Sequence, residues 1–353
     1  VLPRRRHARV IHIGVDDKGY LDMEQLREAF AANKGRVRFL AATGASNITG
    51  IINPIHELAE IAHSNGAYMF VDAAQLAPHR AIDVLPDDNP GHIDFIAYSA
   101  HKMYAPYGIG VLIGPKEYFS HGEPDMVGGG VVDIVELDQV AWSAPPAREE
   151  AGSPNVPGAV GLAAAIHMLQ SVGMNAIAEH ESTLVNHAIE KMKEVPGMLI
   201  YGPVEKDELH NKVGVIAFDI AGVPHAKLAA ILSVEAGIGV RNGCFCAHPY
   251  VKRLLQYGEE DSQKVTEEIL SGDRTNLPGM VRASFGCYNN IEDVDRLIDI
   301  LHRVARGEIK GDYELDRRSG TYWPSNFDYS FSEYFPHFSF RPTRSITNFN
   351  EAS

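Results

Sequence analysis

The sequence predicts an α/β fold in which a large mixed, mostly parallel sheet precedes a smaller α+β lobe. Three observations lead there. Short apolar runs at 37–42, 67–71 and 93–98 have the length and composition of buried strands. A helix-period segment lies between the first two, opened by Pro54 and running to His63. After a long helical stretch over 157–195, strand and helix patterns alternate again from about Gly197.

In chain order, 10–13 reads as a strand and 16–19 as a turn. Asp22, with Gln25 three residues on, reads as the cap of a helix running to about Ala32. The run at 37–42 ends in TGASNITG, where Gly44 and Gly50 suit a tight turn and Asn47 either faces a ligand or serves the turn through its own side chain. The runs at 67–71 and 93–98 end in polar clusters: Asp72 with Gln75, then Ser99, His101 and Lys102. Both clusters therefore fall where strands give way to loops. In open α/β sheets the carboxyl ends of strands line the ligand crevice.

GIGVLIGP supplies the next strand, and the glycines at 128–130 give a flexible link. The helical stretch bridges two lobes, and its His167, His180 and His187 are expected to be ordinary surface or interface residues. The smaller lobe reads as a strand at 213–220, a helix at 224–235 and a short strand at 238–240, closed by an amphipathic helix at 291–306 that carries Val294, Leu297, Ile298 and Leu301 on one face. Between Leu255 and Gly279 lies a polar, charged insertion. The tail after Gly307, rich in Tyr, Phe, Ser and Pro, reads as an extended arm packed on the body or on a partner. The expected division is 1–172, 173–306 and 307–353.

Composition sets outer limits. A chain of 353 residues, 45% of them hydrophobic, can bury a sizeable core. No run approaches the roughly 18 to 20 apolar residues that span a bilayer. Arg4, Arg5 and Arg6 are followed by no apolar signal core, so secretion is not expected. A net charge of −14 argues against a general nucleic-acid partner and for a soluble cytoplasmic protein. Three cysteines, two of them in CFC, suggest reduced thiols rather than a disulfide framework.

The acid and lysine have a specific joint use. Pyridoxal phosphate needs a lysine to hold it and a carboxylate beside its pyridine nitrogen, so that the ring can accept carbanion electrons. Lys102 and Asp72 suit these roles; taken singly, they read equally as a surface lysine and a turn-capping aspartate. A second cluster, GVRNGCFCAHP at 239–249, places a cysteine on a glycine-containing loop near Arg241, where positive charge favours a nucleophilic thiolate. Cys244, Cys246 and His248 could instead bind a metal, although no second clustered ligand set accompanies them, or be inert buried thiols. No metal site is expected.

The wording VDAAQ, then DF-x-x-YSAHK-x-Y-x-PYGIG, closely resembles the cofactor site of the cysteine desulfurase and selenocysteine lyase family. That family lies within the class V aminotransferase group of pyridoxal phosphate enzymes of fold type I. The resemblance runs from about Val10 to Leu301. REEAGSPN at 148–155 follows R-x-E-x-G-[TS]-P-N, Arg241 to Pro249 follows R-x-G-x-x-C-A-x-P, and Arg282 opens R-x-S-x-x-x-YN.

By resemblance, Lys102 holds pyridoxal 5′-phosphate, Asp72 its ring nitrogen and Gln75 its ring oxygen, with Asn47 near that oxygen or the substrate. Ser99, His101 and Ser153 of a dimer partner reach the phosphate. Arg282 clamps the substrate's α-carboxylate with its planar fork, and Arg241 lies on the substrate side. Five residues after Arg241 stands Cys246, which inherits the sulfur-accepting role. The resemblance thus implies a homodimer that converts L-cysteine to L-alanine and passes sulfur to an acceptor protein. It also implies an upstream segment with a phosphate-cradling helix start and a ring-stacking side chain, usually His, which this sequence lacks. A class V aminotransferase, lyase or epimerase acting on another amino acid, or an inactive truncated homologue, remains open.

Overall fold

The computed structural model describes residues 8–326. Helix α1 (Met23–Ala32) starts at Asp22, whose carboxylate accepts the Gln25 N–H, and buries Leu26 and Phe30. The Gln25 side chain does not return to Asp22; its carbonyl accepts from Gly14 N–H. Strand β1 (Phe39–Thr43) leads through a loop to α2 (Ile55–Ser64), which begins after Pro54 as expected. Strands β2 (Tyr68–Asp72), β3 (Phe95–Ser99) and β4 (Gly110–Ile113) complete a sheet of order β1-β2-β3-β4. The first three are parallel and β4 is antiparallel to β3, so the sheet is mixed and mostly parallel.

One face of this sheet packs on α1 and α2 through Leu26, Phe30, Leu58, Ala59, Met69 and Val71. The other carries Phe39 and Tyr68, which stay exposed with ring centroids 5.6 Å apart. The period-2 alternation of apolar residues in β2 is thus a buried face against a half-open one.

The expected strand at 10–13 does not form. Val10 and Ile11 are exposed, and the only pairing there is an isolated bridge from Val15 to Leu21. The local chain is instead organised by Asp16, whose carboxylate accepts the N–H groups of Lys18 and Tyr20. A side chain that closes its own turn leaves the preceding residues with no ladder to join.

Beyond β4 come a short helix α3 (Lys116–Phe119) and a hairpin of β5 (Val132–Val135) and β6 (Val140–Trp142). Helices α4 (Val156–Val172) and α5 (Met174–Met192) meet at Gly173 with a 75° bend. No single helix among the described residues is long and apolar enough to cross a membrane. The helix histidines behave as ordinary polar residues: His187 contacts Asp295 and His180 the Asn289 carbonyl.

The second sheet contains β7 (Met198–Tyr201), β8 (Val215–Ile220), β9 (Arg241–Gly243) and β10 (Met280–Ser284) in the order β7-β8-β10-β9, antiparallel throughout. Helices α5, α6 (His225–Ala236) and α9 (Ile291–Ala305) bury its apolar face around Leu184, Phe218, Leu228, Val281 and Leu297. The short strand expected at 238–240 lies three residues later, because Gly243, Asn242 and Arg241 are the residues that pair with Met280, Val281 and Arg282. Helix α7 (His248–Leu254) follows the cysteine loop. The polar insertion folds as α8 (Glu259–Leu270), with Asp261 accepting the Gly258 N–H. Part of the tail is regular: β11 (Tyr313–Asp316) and β12 (Thr321–Pro324) form a hairpin. Glu235 fastens the start of this hairpin to α6, accepting from Lys310 N–H, Gly311 N–H and the Tyr313 hydroxyl. The rest of the aromatic tail, and Arg4 to Arg6, lie outside the described residues.

Candidate active site

Parallel register aligns Thr43, Asp72 and Ala97 across β1, β2 and β3, so three strands release their loops along one edge. The first loop carries Asn47. Gly50 in it has φ +76, and a Cβ there would meet the Val215 carbonyl at 2.9 Å. Only glycine lets this loop lie against β8. The second loop carries Asp72 and Gln75. The third is a 3-10 turn, Ala100–Met103, that displays His101 and Lys102 and ends at Tyr104 in the left-handed region.

Lys102 is half-buried, and its Nζ donates to Gln75 Oε1 at 3.3 Å. Burial pushes its pKa below the ordinary lysine value; Asp72 opposes the shift, Arg282 adds to it, Cys246 opposes and Arg241 adds. The four groups that the motifs nominate are therefore near enough for Lys102 to feel each of them. An amine depressed in this way is a better nucleophile near neutrality. Asp72 Oδ1 accepts the Ala74 N–H at 2.9 Å, so this residue does cap its turn. Among the described residues its other oxygen accepts no hydrogen bond.

Arg282 on β10 stands directly opposite Arg241 on β9. Its Nη1 donates to the Asn47 carbonyl at 2.8 Å, its guanidinium lies 5.0 Å from the centroid of the Phe245 ring, and its buried Nε has no partner in the protein. Burial lowers its pKa, Arg241 lowers it further and Cys246 offsets part of the effect. A desolvated guanidinium with an unsatisfied N–H, next to a second arginine and an amine, is a site that favours a carboxylate.

The cysteine loop turns through two successive left-handed residues, Phe245 at φ +49 and Cys246 at φ +66. This buries Phe245 beneath Arg282 and leaves Cys246 exposed. Asn47 Nδ2 donates to the Phe245 carbonyl at 2.8 Å, so the first loop holds the cysteine loop in place. Cys244 is turned away: its thiol donates to the Pro278 carbonyl at 3.0 Å, and burial raises its pKa. Cys287 is half-buried beside the Lys102 loop, its N–H donating to the Tyr104 hydroxyl.

Ser99 ends β3 half-buried, and His101 is exposed on the same turn as Lys102. Ser153 is exposed on the loop before α4, and among the described residues no contact joins it to the group around Lys102. Asn155 caps α4, and its amide also donates to the Tyr107 carbonyl beside the lysine loop. Arg148 of the same motif is buried and donates to the Ser120 and Gly122 carbonyls, a loop-holding role.

Two residues escaped the sequence reading. His79 is buried; its Nε2 accepts from Gln75 Nε2 at 3.0 Å while its Nδ1–H donates to Glu181 Oε1 at 2.6 Å. His79 is discoverable in principle, four residues beyond Gln75. Glu181, on α5 and 102 residues further on, had no local signal.

A family model described as aminotransferase class-V matches residues 2–297. A probable cysteine desulfurase of Halalkalibacterium halodurans is 35% identical over 297 residues, covering 84% of this chain and 64% of the relative. A cysteine desulfurase of Dickeya dadantii is 38% identical over 293 residues, covering 83% and 63%. The chain thus spans slightly less than two thirds of the length of these relatives. The solved apo structure of a cysteine desulfurase from Thermococcus onnurineus superposes with a TM-score of 0.73 at 33% identity, covering 87% of this chain and 70% of that one. The family model spans both sheets and all the loops that carry Lys102, Asp72, Arg241, Arg282 and Cys246, and this chain belongs to the aminotransferase class-V family.

Proposed function

We propose that the protein uses pyridoxal 5′-phosphate to convert L-cysteine to L-alanine, with the sulfur carried as a persulfide on Cys246. The observation that carries this reading is the half-buried Lys102 amine, hydrogen-bonded to Gln75 just after Asp72, on the sheet edge whose Asn47 loop holds both Arg282 and the cysteine loop. The residues fit the cofactor: a depressed amine, a carboxylate with one oxygen unused, and a buried arginine N–H without a partner. When bound, the cofactor supplies an electron sink for the carbanion at the substrate's α-carbon.

Lys102 is the residue that would hold the cofactor, and its amine then moves protons as general acid and base. The unused oxygen of Asp72 would keep the ring nitrogen protonated, the Gln75 amide would serve the ring oxygen, and Ser99, His101 and Ser153 of the partner subunit would hold the phosphate. Arg282 orients the substrate carboxylate with its planar fork, and Arg241 adds charge from the neighbouring strand. Asn47 sets the height of the cysteine loop above them. Cys246, on its exposed turn, attacks the substrate sulfur: the S–S bond forms as the substrate C–S bond breaks, and protonation of the carbon gives alanine.

The division into 1–172, 173–306 and 307–353, a cytoplasmic homodimer and a protein sulfur acceptor belong to the same reading. Purified protein given pyridoxal phosphate should develop a visible band that Lys102→Ala abolishes, and should release alanine from L-cysteine. Cys246→Ala should leave the band and abolish sulfur transfer; retained transfer would remove Cys246 from the mechanism.

A further inference from the structure

At the opposite edge of the first sheet, three ligating side chains converge. His63 stands in the last turn of α2, and His92 and Asp94 lie just before β3. Their ligand atoms all lie within 4.8 Å of one another. His63 Nε2 is 2.8 Å from Asp94 Oδ2, and His92 Nε2 is 3.4 Å from Asp94 Oδ1. The two imidazole rings stack with centroids 4.1 Å apart.

The other ring nitrogens settle the tautomers. His63 Nδ1 lies 2.7 Å from the Pro90 carbonyl, and His92 Nδ1 lies 2.7 Å from the Asn89 carbonyl. Carbonyls only accept, so each Nδ1 carries the ring's proton. A neutral imidazole has one N–H, so each Nε2 then presents a lone pair. Both Nε2 atoms face the Asp94 carboxylate, so either a second proton on an imidazole or a metal cation can sit between these acceptors. The Met69 N–H, which donates to Asp94 Oδ2 at 2.7 Å, orients the carboxylate from behind.

We propose that His63, His92 and Asp94 bind a divalent transition-metal ion of the zinc class. Two imidazole nitrogens and one carboxylate oxygen suit zinc rather than calcium or magnesium, which take oxygen ligands. Zinc bonds of ~2.0–2.1 Å on a tetrahedral ion put ligand atoms about 3.3 Å apart; the 3.4 Å between His92 Nε2 and Asp94 Oδ1 matches this, and the 2.8 Å between His63 Nε2 and Asp94 Oδ2 would open on binding. Each histidine already gives its second ring N–H to a backbone carbonyl, the arrangement that fixes tautomer and ring orientation in metal sites. The turn that supplies these carbonyls is itself held, by His56 Nδ1–H to the Gly91 carbonyl and Gly91 N–H to Asn89 Oδ1. The side chains are 18%, 19% and 8% exposed, which leaves a fourth position open to water. Such an ion ties the end of α2 to the start of β3, far from Lys102, and so stabilises the fold without entering the reaction.

The test is zinc binding by the chain after dialysis against a chelator, read by competition with a chromophoric chelator, on the Cys244→Ser/Cys246→Ser/Cys287→Ser background so that thiols do not compete. One equivalent should bind at neutral pH and raise the melting temperature by several degrees. His92→Ala should weaken that binding at least tenfold. Cobalt(II) supplied in place of zinc should give visible d–d bands without the near-ultraviolet charge transfer of thiolate ligation, a readout that needs no variant to fold. Absence of stoichiometric binding, binding unchanged by His92→Ala, or loss of binding with the cysteines would each overturn the proposal.

Discussion

His79 Nδ1–H donates to Glu181 Oε1 at 2.6 Å, a bond between two buried side chains that joins α5 to the loop beneath Lys102. Because Nδ1 carries the proton, Nε2 accepts from the Gln75 amide, and this turns Gln75 Oε1 toward Lys102 Nζ. Glu181 Oε2 also accepts from Arg80, whose other nitrogen donates to the Lys212 carbonyl. Removing one partner of a buried ionic group leaves the others uncompensated, a loss of about 3–5 kcal/mol. Glu181→Ala should therefore lower the urea midpoint strongly, whereas Glu181→Gln, which keeps an acceptor, should cost much less. In Glu181→Ala the pH at which the cofactor band titrates should move, because Gln75 no longer holds its orientation, whereas in Glu181→Gln, which keeps the His79 tautomer, it should move little; an unmoved band in Glu181→Ala would confine Glu181 to stability.

Arg282 carries its charge on a planar fork stacked at 5.0 Å from the Phe245 ring centroid, with Nη1 engaged and Nε unpartnered. Lysine keeps the charge and loses the fork and the stacking. A charge-assisted hydrogen bond contributes about 1.5–3 kcal/mol, so Arg282→Lys should raise the KM for L-cysteine by roughly 10-fold to 100-fold. Its cofactor band should remain. Steady-state kinetics with unchanged KM would place the carboxylate elsewhere.

The parallel strands and their terminal polar clusters were legible because strand length, burial and loop chemistry are local properties. Lys102, Asp72 and Cys246 each stand within a motif that the sequence spells out. The Asn47 contact with the cysteine loop was not legible: its side chain spans 198 residues of sequence to reach Phe245. The same holds for Glu181. The misplaced strand at 238–240 fails for a related reason, since Ile238 and Val240 have the strand composition but β10 pairs with the polar residues after them. At 10–13, apolar β-branched residues had propensity without a partner strand.

Cys246 and Cys244 are two residues apart and should differ in alkylation rate. Cys246 is exposed on a left-handed turn, while Cys244 donates its thiol proton to the Pro278 carbonyl and burial raises its pKa. The thiolate is the reactive form. Iodoacetamide at neutral pH, followed by peptide mass spectrometry, should modify Cys246 first and Cys244 only after unfolding. Equal rates would mean that the loop does not hold the two thiols apart.

Asp219 lies on β8 beneath the hydroxyl of Tyr201, which donates to it at 3.2 Å, and the Val281 N–H donates to its other oxygen at 3.3 Å. Burial pushes its pKa up to about 7, against those two hydrogen bonds. The folded state therefore keeps this proton over a range in which the unfolded chain, at 3.8, has released it. Its contribution to stability is fully present below the unfolded value and is lost as pH rises toward 7. Lys212 acts in a different window: buried and depressed to about 7, it makes stability rise with pH from there toward 10.5. Asp219→Asn keeps the shape and removes the titration. Its urea midpoint should exceed that of the wild type at about pH 8 and approach it below about pH 4. A difference that does not change with pH would show that Asp219 titrates alike in the folded and unfolded chain, and that its burial is relieved by local movement of β8 and β10.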